Sequence, residues 1–143
     1  MITRICLWLL QLAKNIWLSF LLHLQRQGYM DEFASPLHWA IQKGFTRSAL
    51  VLIENGEDTN QLDANQRTPL DLALEKNYPR VFKALVENLA DVNFVSVEIG
   101  PLLVYAINRY KHTEDGYASL LIEKGANVNC TSIWNQTPLQ AAA

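Results

Sequence analysis

The sequence predicts an all-α solenoid of stacked helix-turn-helix units joined by β-turn or hairpin loops, preceded by an apolar N-terminal helix. The first observation is a six-residue motif that occurs at 35–40, 68–73, 101–106 (a weaker copy) and 137–142. The alanines that end these copies are 33, 33 and 36 residues apart. The second observation is that Asn60, Asn93 and Asn129 are separated by 33 and then 36 residues. Two unrelated markers with the same steps indicate a tandem repeat.

The repeated motifs resemble those of the ankyrin repeat. In that family Thr-Pro-Leu-His-x-Ala opens a first helix, and Leu-Leu-x-x-Gly-Ala-Asp-Val-Asn ends a second one. Here residues 121–129, Leu-Ile-Glu-Lys-Gly-Ala-Asn-Val-Asn, nearly reproduce the ending, and residues 52–60 and 85–93 are close to it. The resemblance covers residues 34–143. It implies repeats at 34–62, 63–93, 94–129 and, as a partial unit, 130–143.

The first repeat carries clear helix signals. Ser35 can cap free helix amides, and Pro36 suits the first helical turn. Gly44 is predicted to end the first helix, and a second helix is predicted over about 47–55. Helical spacing gives the core positions Leu37, Ala40, Ile41, Leu50, Leu52 and Ile53.

The second repeat follows the same plan from Thr68 and Pro69. Pro79 is predicted in the first turn of its second helix, where a missing amide does no harm. The inward positions of that helix are Val81, Leu85 and Val86. Leu89 stands where the resemblance implies glycine, so its backbone either avoids the left-handed region or is strained.

The third repeat is the least regular. Pro101 and Leu102 replace the Thr-Pro pair, and Val104 replaces the histidine, which predicts weaker hydrogen bonding. The three extra residues lie in a polar turn at 108–116, since surface turns absorb insertions at low cost. Residues 130–143 open a fourth repeat and stop in its first helix, as expected of a fragment of a longer array.

Residues 1–33 form a compositionally different, apolar N-terminal segment. Its polar residues recur at helical intervals: Arg4, Gln11, Asn15, Ser19, His23 and Arg26. We weigh three interpretations: a helix that caps the stack in place of a degenerate first repeat, a membrane anchor over residues 5–24, and a cleaved signal peptide. Lys14 disfavours a clean membrane span. A fourth interpretation takes Met30 as the natural start and residues 1–29 as an upstream extension.

Composition argues against several classes of protein. The net charge is −2, and the 12 Lys and Arg contain no run of three, so no nucleic-acid surface is indicated. Cys6 and Cys130 provide neither a disulfide framework nor metal-ligand spacing. This favours a reduced, cytoplasmic location, with membrane association as the alternative.

No arrangement of residues predicts catalysis, a cofactor or a metal site. His23, His38 and His112 have no nucleophile at an interpretable spacing, and there is no phosphate-binding glycine loop. Residues 112–115 are interpreted as a solvated loop rather than a metal cluster. The resemblance implies that His38 makes structural bonds to neighbouring backbone, and that Asp71 and Gln140 act similarly. Asn60, Asn93 and Asn129 are interpreted as turn-forming residues, since asparagine accepts left-handed geometry and bonds its own backbone.

By resemblance to ankyrin proteins, a protein partner binds the turn tips and the exposed face of each first helix. Carried onto this sequence, the predicted contacts are Gln42, Lys43, Ala64, Asn65, Arg67, Glu75, Lys76, Val97, Glu98, Asn108, Arg109, Ile133, Trp134 and Gln136. Trp134 is either a contact anchor or a cover for a neighbouring repeat. Val95, Val97 and Ile99 are either a recognition edge or buried.

The sequence therefore predicts a non-catalytic scaffold for protein–protein interaction, with the partner's identity undetermined. Two alternatives stay open. One is a membrane-tethered ankyrin protein anchored by residues 5–24. The other is an accessory recognition domain of a larger enzyme.

Overall fold

The computed structural model describes residues 35–111, 116–132 and 134–143. These residues form seven helices and one two-stranded hairpin. In chain order the elements are α1 (Pro36–Lys43), α2 (Thr46–Glu54), α3 (Pro69–Glu75), α4 (Pro79–Glu87), β1 (Val95–Ser96), β2 (Gly100–Pro101), α5 (Leu102–Arg109), α6 (Tyr117–Glu123) and α7 (Pro138–Ala142).

The helices stack in two layers. Within each repeat the first helix packs on the second: α1 on α2, α3 on α4 and α5 on α6. Between repeats, α1 contacts α3 and α5 contacts α7 in the layer of first helices, while α2 contacts α4 and α4 contacts α6 in the layer of second helices. This is the stacked helix-turn-helix solenoid that the sequence predicts.

The helices begin where the capping residues predict. The side chains of Ser35, Thr68 and Thr137 each accept a hydrogen bond from the amide three residues later, and a proline follows each cap. Gly44 ends α1 with φ 80°, and its N–H points back to the carbonyls of the last turn. Pro79 opens α4, as predicted. Local sequence therefore sets the ends of these helices.

One continuous core runs through the stack. Its largest fully buried side chain is Phe82, which meets the ring of Tyr117 edge-on with ring centres 4.8 Å apart. Leu50 is half-buried, and the other core positions that helical spacing predicts are all buried: Leu37, Ala40, Ile41, Leu52, Ile53, Val81, Leu85 and Val86. Burial of aliphatic and aromatic side chains between neighbouring units is what stabilises a solenoid.

The junction between the second and third repeats is built differently from the first junction. Contacts between α3 and α5 are sparser than those between α1 and α3. Val104 is buried and has no polar atom to bond across repeats. Two tyrosines supply such bonds instead: the Tyr110 hydroxyl donates to the Leu74 carbonyl, and the Tyr117 hydroxyl donates to Asn77 Oδ1, both at 2.6 Å.

The asparagines at the repeat ends do not use the left-handed geometry that asparagine accepts. Asn93 and Asn129 lie in turns, as predicted, but none of Asn60, Asn93 and Asn129 has a positive φ. The Asn60 amide instead joins two repeats: its Nδ2 donates to the Leu89 carbonyl at 3.2 Å, and its Oδ1 accepts from the Asp91 N–H at 2.7 Å. Asn93 makes the equivalent pair of bonds one repeat further on. These side chains therefore fix the register between units.

Leu89 has a left-handed backbone conformation, which is the strained one of the two predicted alternatives. Its φ is 65°, close to the left-handed values of Gly56 and Gly125 at the equivalent positions, and its side chain is 87% exposed. A β-carbon in this region costs about 1–2 kcal/mol. The turn geometry of the repeat is thus kept although the glycine is missing.

We expect Leu89→Gly to raise the free energy of unfolding by about 1 kcal/mol, because the relief of strain exceeds the entropy lost by glycine. Urea denaturation followed by circular dichroism measures the change. Leu89→Ala is the control, since it removes the exposed apolar side chain and keeps the β-carbon. An equal gain from alanine would contradict backbone strain as the cause.

Within the described ranges, no helix combines the length and apolar character that crossing a bilayer requires. Residues 5–24, the predicted anchor or capping helix, lie outside these ranges.

Candidate functional site

A turn precedes three of the first helices: residues 63–67 before α3, residues 96–100 before α5, and Ser132 with residues 134–136 before α7. We call these turns the first, middle and third tips. In the first tip, Asp63 Oδ1 accepts from the N–H groups of Asn65 and Arg67, both at 2.9 Å. Gln66 takes the left-handed conformation with φ 60°. The buried Asp63 side chain therefore organises this tip and leaves Ala64, Asn65 and Gln66 exposed.

The third tip repeats this geometry with a different side chain. Ser132 Oγ accepts from the N–H groups of Trp134 and Gln136, both at 3.1 Å. Asn135 is left-handed with φ 59°. The Trp134 side chain is thus held at the tip of an ordered turn, and it is 77% exposed.

The middle tip is the hairpin formed by β1 and β2. Val95 pairs with Pro101 and Ser96 with Gly100 in antiparallel register. Val95 and Val97 are 58% and 79% exposed, and Ile99 is half-buried. The interpretation that this apolar stretch is buried is therefore wrong for Val95 and Val97.

A cleft of about 430 Å³ opens where the middle and third tips meet the surface of α5. We call it the Trp134 cleft. Its lining residues are Glu98, Ile99, Val104, Tyr105, Asn108, Arg109, Ser132 and Trp134. Apolar and aromatic side chains with a few polar groups are typical of a binding site.

Three cations occupy equivalent positions at the ends of successive first helices. Lys43 ends α1, Lys76 follows α3 and Arg109 ends α5, and all three are exposed. No ion pair within the described part of the chain involves them. Glu75, beside Lys76, is held by the Arg67 guanidinium at 3.5 Å. This edge of the first-helix layer thus presents positive charge.

The predicted contact residues differ in how far they are exposed to solvent. The exposed ones are Lys43, Ala64, Asn65, Lys76, Val97, Glu98, Asn108, Arg109, Trp134 and Gln136. Gln42, Arg67 and Glu75 are half-buried, and Ile133 lies outside the described residues. The Trp134 cleft brings together Glu98, Asn108, Arg109 and Trp134.

Arg67 is tied into its own tip. Its guanidinium lies 3.0 Å from Asp63 Oδ2 and also reaches Glu75. Because these bonds hold the side chain, Arg67 stabilises the tip as well as lying on the predicted surface.

Sequence reasoning missed four residues of this surface. Gln66 lies at the first tip, and Val104, Tyr105 and Ser132 line the Trp134 cleft. Tyr105 is half-buried, and it contributes to the lining of the cleft. The signal that could have found it is the alignment of Tyr105 with half-buried Trp39, both large aromatic side chains on first helices.

His38 and Asp71, at equivalent repeat positions, are buried and structural. His38 Nε2–H donates to the Arg67 carbonyl at 3.1 Å, and its Nδ1 lies 2.8 Å from Ser35 Oγ. Burial lowers the pKa of His38. Asp71 Oδ2 accepts from the Thr68 N–H at 3.0 Å, and burial raises the pKa of Asp71 to about 6. The predicted backbone bonds of His38 are confirmed.

A second cavity, of about 350 Å³, lies beside β1 and α5 and includes Cys130 in its lining. Burial raises the pKa of the Cys130 thiol, which lowers its thiolate fraction and hence its reactivity. Among residues 35–111, 116–132 and 134–143 there is no group of three or more His, Cys, Asp or Glu side chains that could hold a metal ion.

Comparison with known proteins identifies the family. The family model described as "Ankyrin repeats (3 copies)" matches residues 5–96, which is more than half of the chain. No curated protein matches the sequence. Repeats of this family generally serve as protein–protein interaction modules and are typically non-catalytic. From the family match, the repeated motifs and the stacked helix pairs, we conclude that this chain belongs to the ankyrin-repeat family.

Proposed function

We propose that this protein is a non-catalytic scaffold that binds a protein partner through its turn tips and the exposed face of its first helices. The observation that carries this proposal is the Trp134 cleft, where two tips and α5 form one concave surface. A tryptophan that is 77% exposed on an ordered turn is the kind of anchor that dominates binding free energies.

The composition of the surface supports the same proposal. Exposed Val97 and Trp134 provide apolar contact area, while Lys76 and Arg109 can pair with carboxylates. Mixed apolar and charged side chains around a buried centre are typical of specific, moderately polar interfaces.

We expect Trp134→Ala to weaken binding of the partner about tenfold or more, because it removes the largest exposed contact side chain. Lys76→Glu should also weaken binding, by reversing a charge on the first-helix layer. The tagged 143-residue chain is used to capture partners from a lysate of its source, and their affinities are then measured by biolayer interferometry.

Arg80→Glu is the matched control for Lys76→Glu, because Arg80 is an exposed cation on α4, in the other helix layer. A true partner is retained by the native chain and by Arg80→Glu. If Trp134→Ala and Lys76→Glu bind every captured protein as tightly as the native chain does, the proposed surface is wrong.

A further inference from the structure

Resting on the proposed function, we infer the chemistry of the partner segment that the Trp134 cleft receives. The segment is extended and carries an aromatic or large aliphatic residue between an acidic residue and a basic residue. The apolar side chain enters the cleft, the acidic side chain pairs with Arg109, and the basic side chain pairs with Glu98.

The centre of the cleft selects the apolar residue. Val104 is almost completely buried, while Ile99 and Tyr105 are half-buried and leave part of their surfaces in the cleft. Trp134 adds an exposed indole at the side. A volume of about 430 Å³ accommodates a side chain as large as phenylalanine, and burying such a side chain is the main source of affinity in small apolar sites.

The two ends of the cleft carry opposite charges. Glu98 lies on the hairpin tip before α5, and Arg109 is the last residue of α5. Both are exposed, and neither takes part in an ion pair within the described ranges. Arg109 also acts on the cleft itself, since its charge counters the rise in the pKa of Tyr105 that burial causes.

The extent of the cleft along α5 sets the spacing of the segment. The lining residues on α5 run from Val104 to Arg109, which spans roughly 8 Å at about 1.5 Å per residue. An extended peptide covers that distance in about two to three residues. Acidic and basic residues two to four positions apart, with the apolar residue between them, therefore match both ends of the cleft. Opposite charges at the two ends also fix the direction in which the segment lies.

Defined peptides test this inference on the whole 143-residue chain. The probes are capped glycine-rich heptapeptides with a central Phe flanked by one Glu and one Lys, the same peptide with Glu on both sides or Lys on both sides, and the Glu/Lys peptide with Ala in place of Phe. Binding is measured from amide and indole chemical shifts in ¹⁵N-labelled protein, followed at Trp134 and Arg109.

We expect the peptide with one Glu and one Lys to bind at least about tenfold more tightly than the peptides with Glu on both sides or Lys on both sides, and the Ala peptide to bind at least about tenfold more weakly. In Arg109→Glu, which leaves both ends of the cleft acidic, the preference should move to the peptide with Lys on both sides. A general loss of structure cannot produce such a change of preference, and circular dichroism melts check that the variant is folded. No saturable binding at millimolar peptide, no preference for the peptide with opposite charges, or no change of preference in Arg109→Glu would each overturn the inference.

These outcomes are separable from those of the proposed function. If the peptides fail but a captured partner still depends on Trp134 and Lys76, the scaffold function stands and the inferred segment chemistry is wrong. If no captured protein depends on Trp134 or Lys76, the proposed surface itself is wrong, whatever the peptides do.

Discussion

Asp71→Asn is expected to raise the free energy of unfolding by about 2–3 kcal/mol at pH 8 and to change it little at pH 4. Burial raises the pKa of Asp71 from 3.8 to about 6. Between these values the folded state keeps a proton that the unfolded state has released, so stability is full below about pH 4 and is lost as the pH rises through about 6. A shift of about two pKa units corresponds to roughly 3 kcal/mol.

The hydrogen bonding of the Asp71 carboxyl group explains why asparagine is tolerated at this position. Only one carboxylate oxygen of Asp71 is bonded, Oδ2 to the Thr68 N–H, while Oδ1 is buried and makes no hydrogen bond within the described part of the chain. The carbonyl oxygen of asparagine can accept the Thr68 bond and keep the capping box.

Urea titrations of Asp71→Asn and the native chain at pH 4 and pH 8 measure this effect. Glu123→Gln is the control, because it removes a carboxylate that is exposed near the end of α6. The explanation fails if the stability difference between Asp71→Asn and the native chain is the same at both pH values.

His38→Ala is expected to lower the free energy of unfolding by about 2–3 kcal/mol at pH 8. It removes the bond from Nε2 to the Arg67 carbonyl, which ties α1 to the first tip, and leaves a cavity in place of a buried ring. Lys43→Ala, at an exposed position at the end of the same helix, should change the stability by less than about 0.5 kcal/mol.

The effect of His38 has a pH dependence opposite to that of Asp71. Burial lowers the pKa of His38 below 6.5, so below about pH 6.5 the unfolded state binds a proton that the folded state resists. The stability that His38 provides is therefore present above pH 6.5 and lost as the pH falls through its folded pKa. Denaturation at pH 5 and pH 8 should show a smaller cost of His38→Ala at pH 5. If His38→Ala lowers the free energy of unfolding equally at both pH values, folded His38 is not the neutral ring, bonded through both nitrogens, that the structure shows.

The repeat plan was accessible from sequence because its signals are local. Ser35 and Thr68 cap helices within three residues of themselves, and Pro79 marks a helix start. Helical spacing then orients the apolar side chains toward the core. Each signal occurs several times in the same order, so one repeat confirms the interpretation of another.

The binding surface was less accessible. The tips and the exposed positions of the first helices were predicted by resemblance, and they remain predictions as partner contacts. The cleft that joins Glu98, Arg109 and Trp134 could not be derived, since it depends on how the 96–100 hairpin, α5 and the 132–136 turn approach one another.

The roles of Asn60 and Asn93 were missed for a related reason. Their side chains bond to residues about 30 positions further along the chain, in the next repeat. Asparagine is also frequent in left-handed turns, and that local preference was the only guide that the sequence offered.

The sequence by itself determined the family, the repeat architecture, the helix starts and the core faces, because capping, proline geometry and apolar periodicity act over a few residues. Only the tertiary structure decided that Leu89 is left-handed, that Tyr110 and Tyr117 bridge the irregular junction, and that Trp134 stands beside a cleft with charges of opposite sign at its ends. Those features arise where neighbouring repeats meet, and the geometry of that contact is set by packing between residues far apart in the chain.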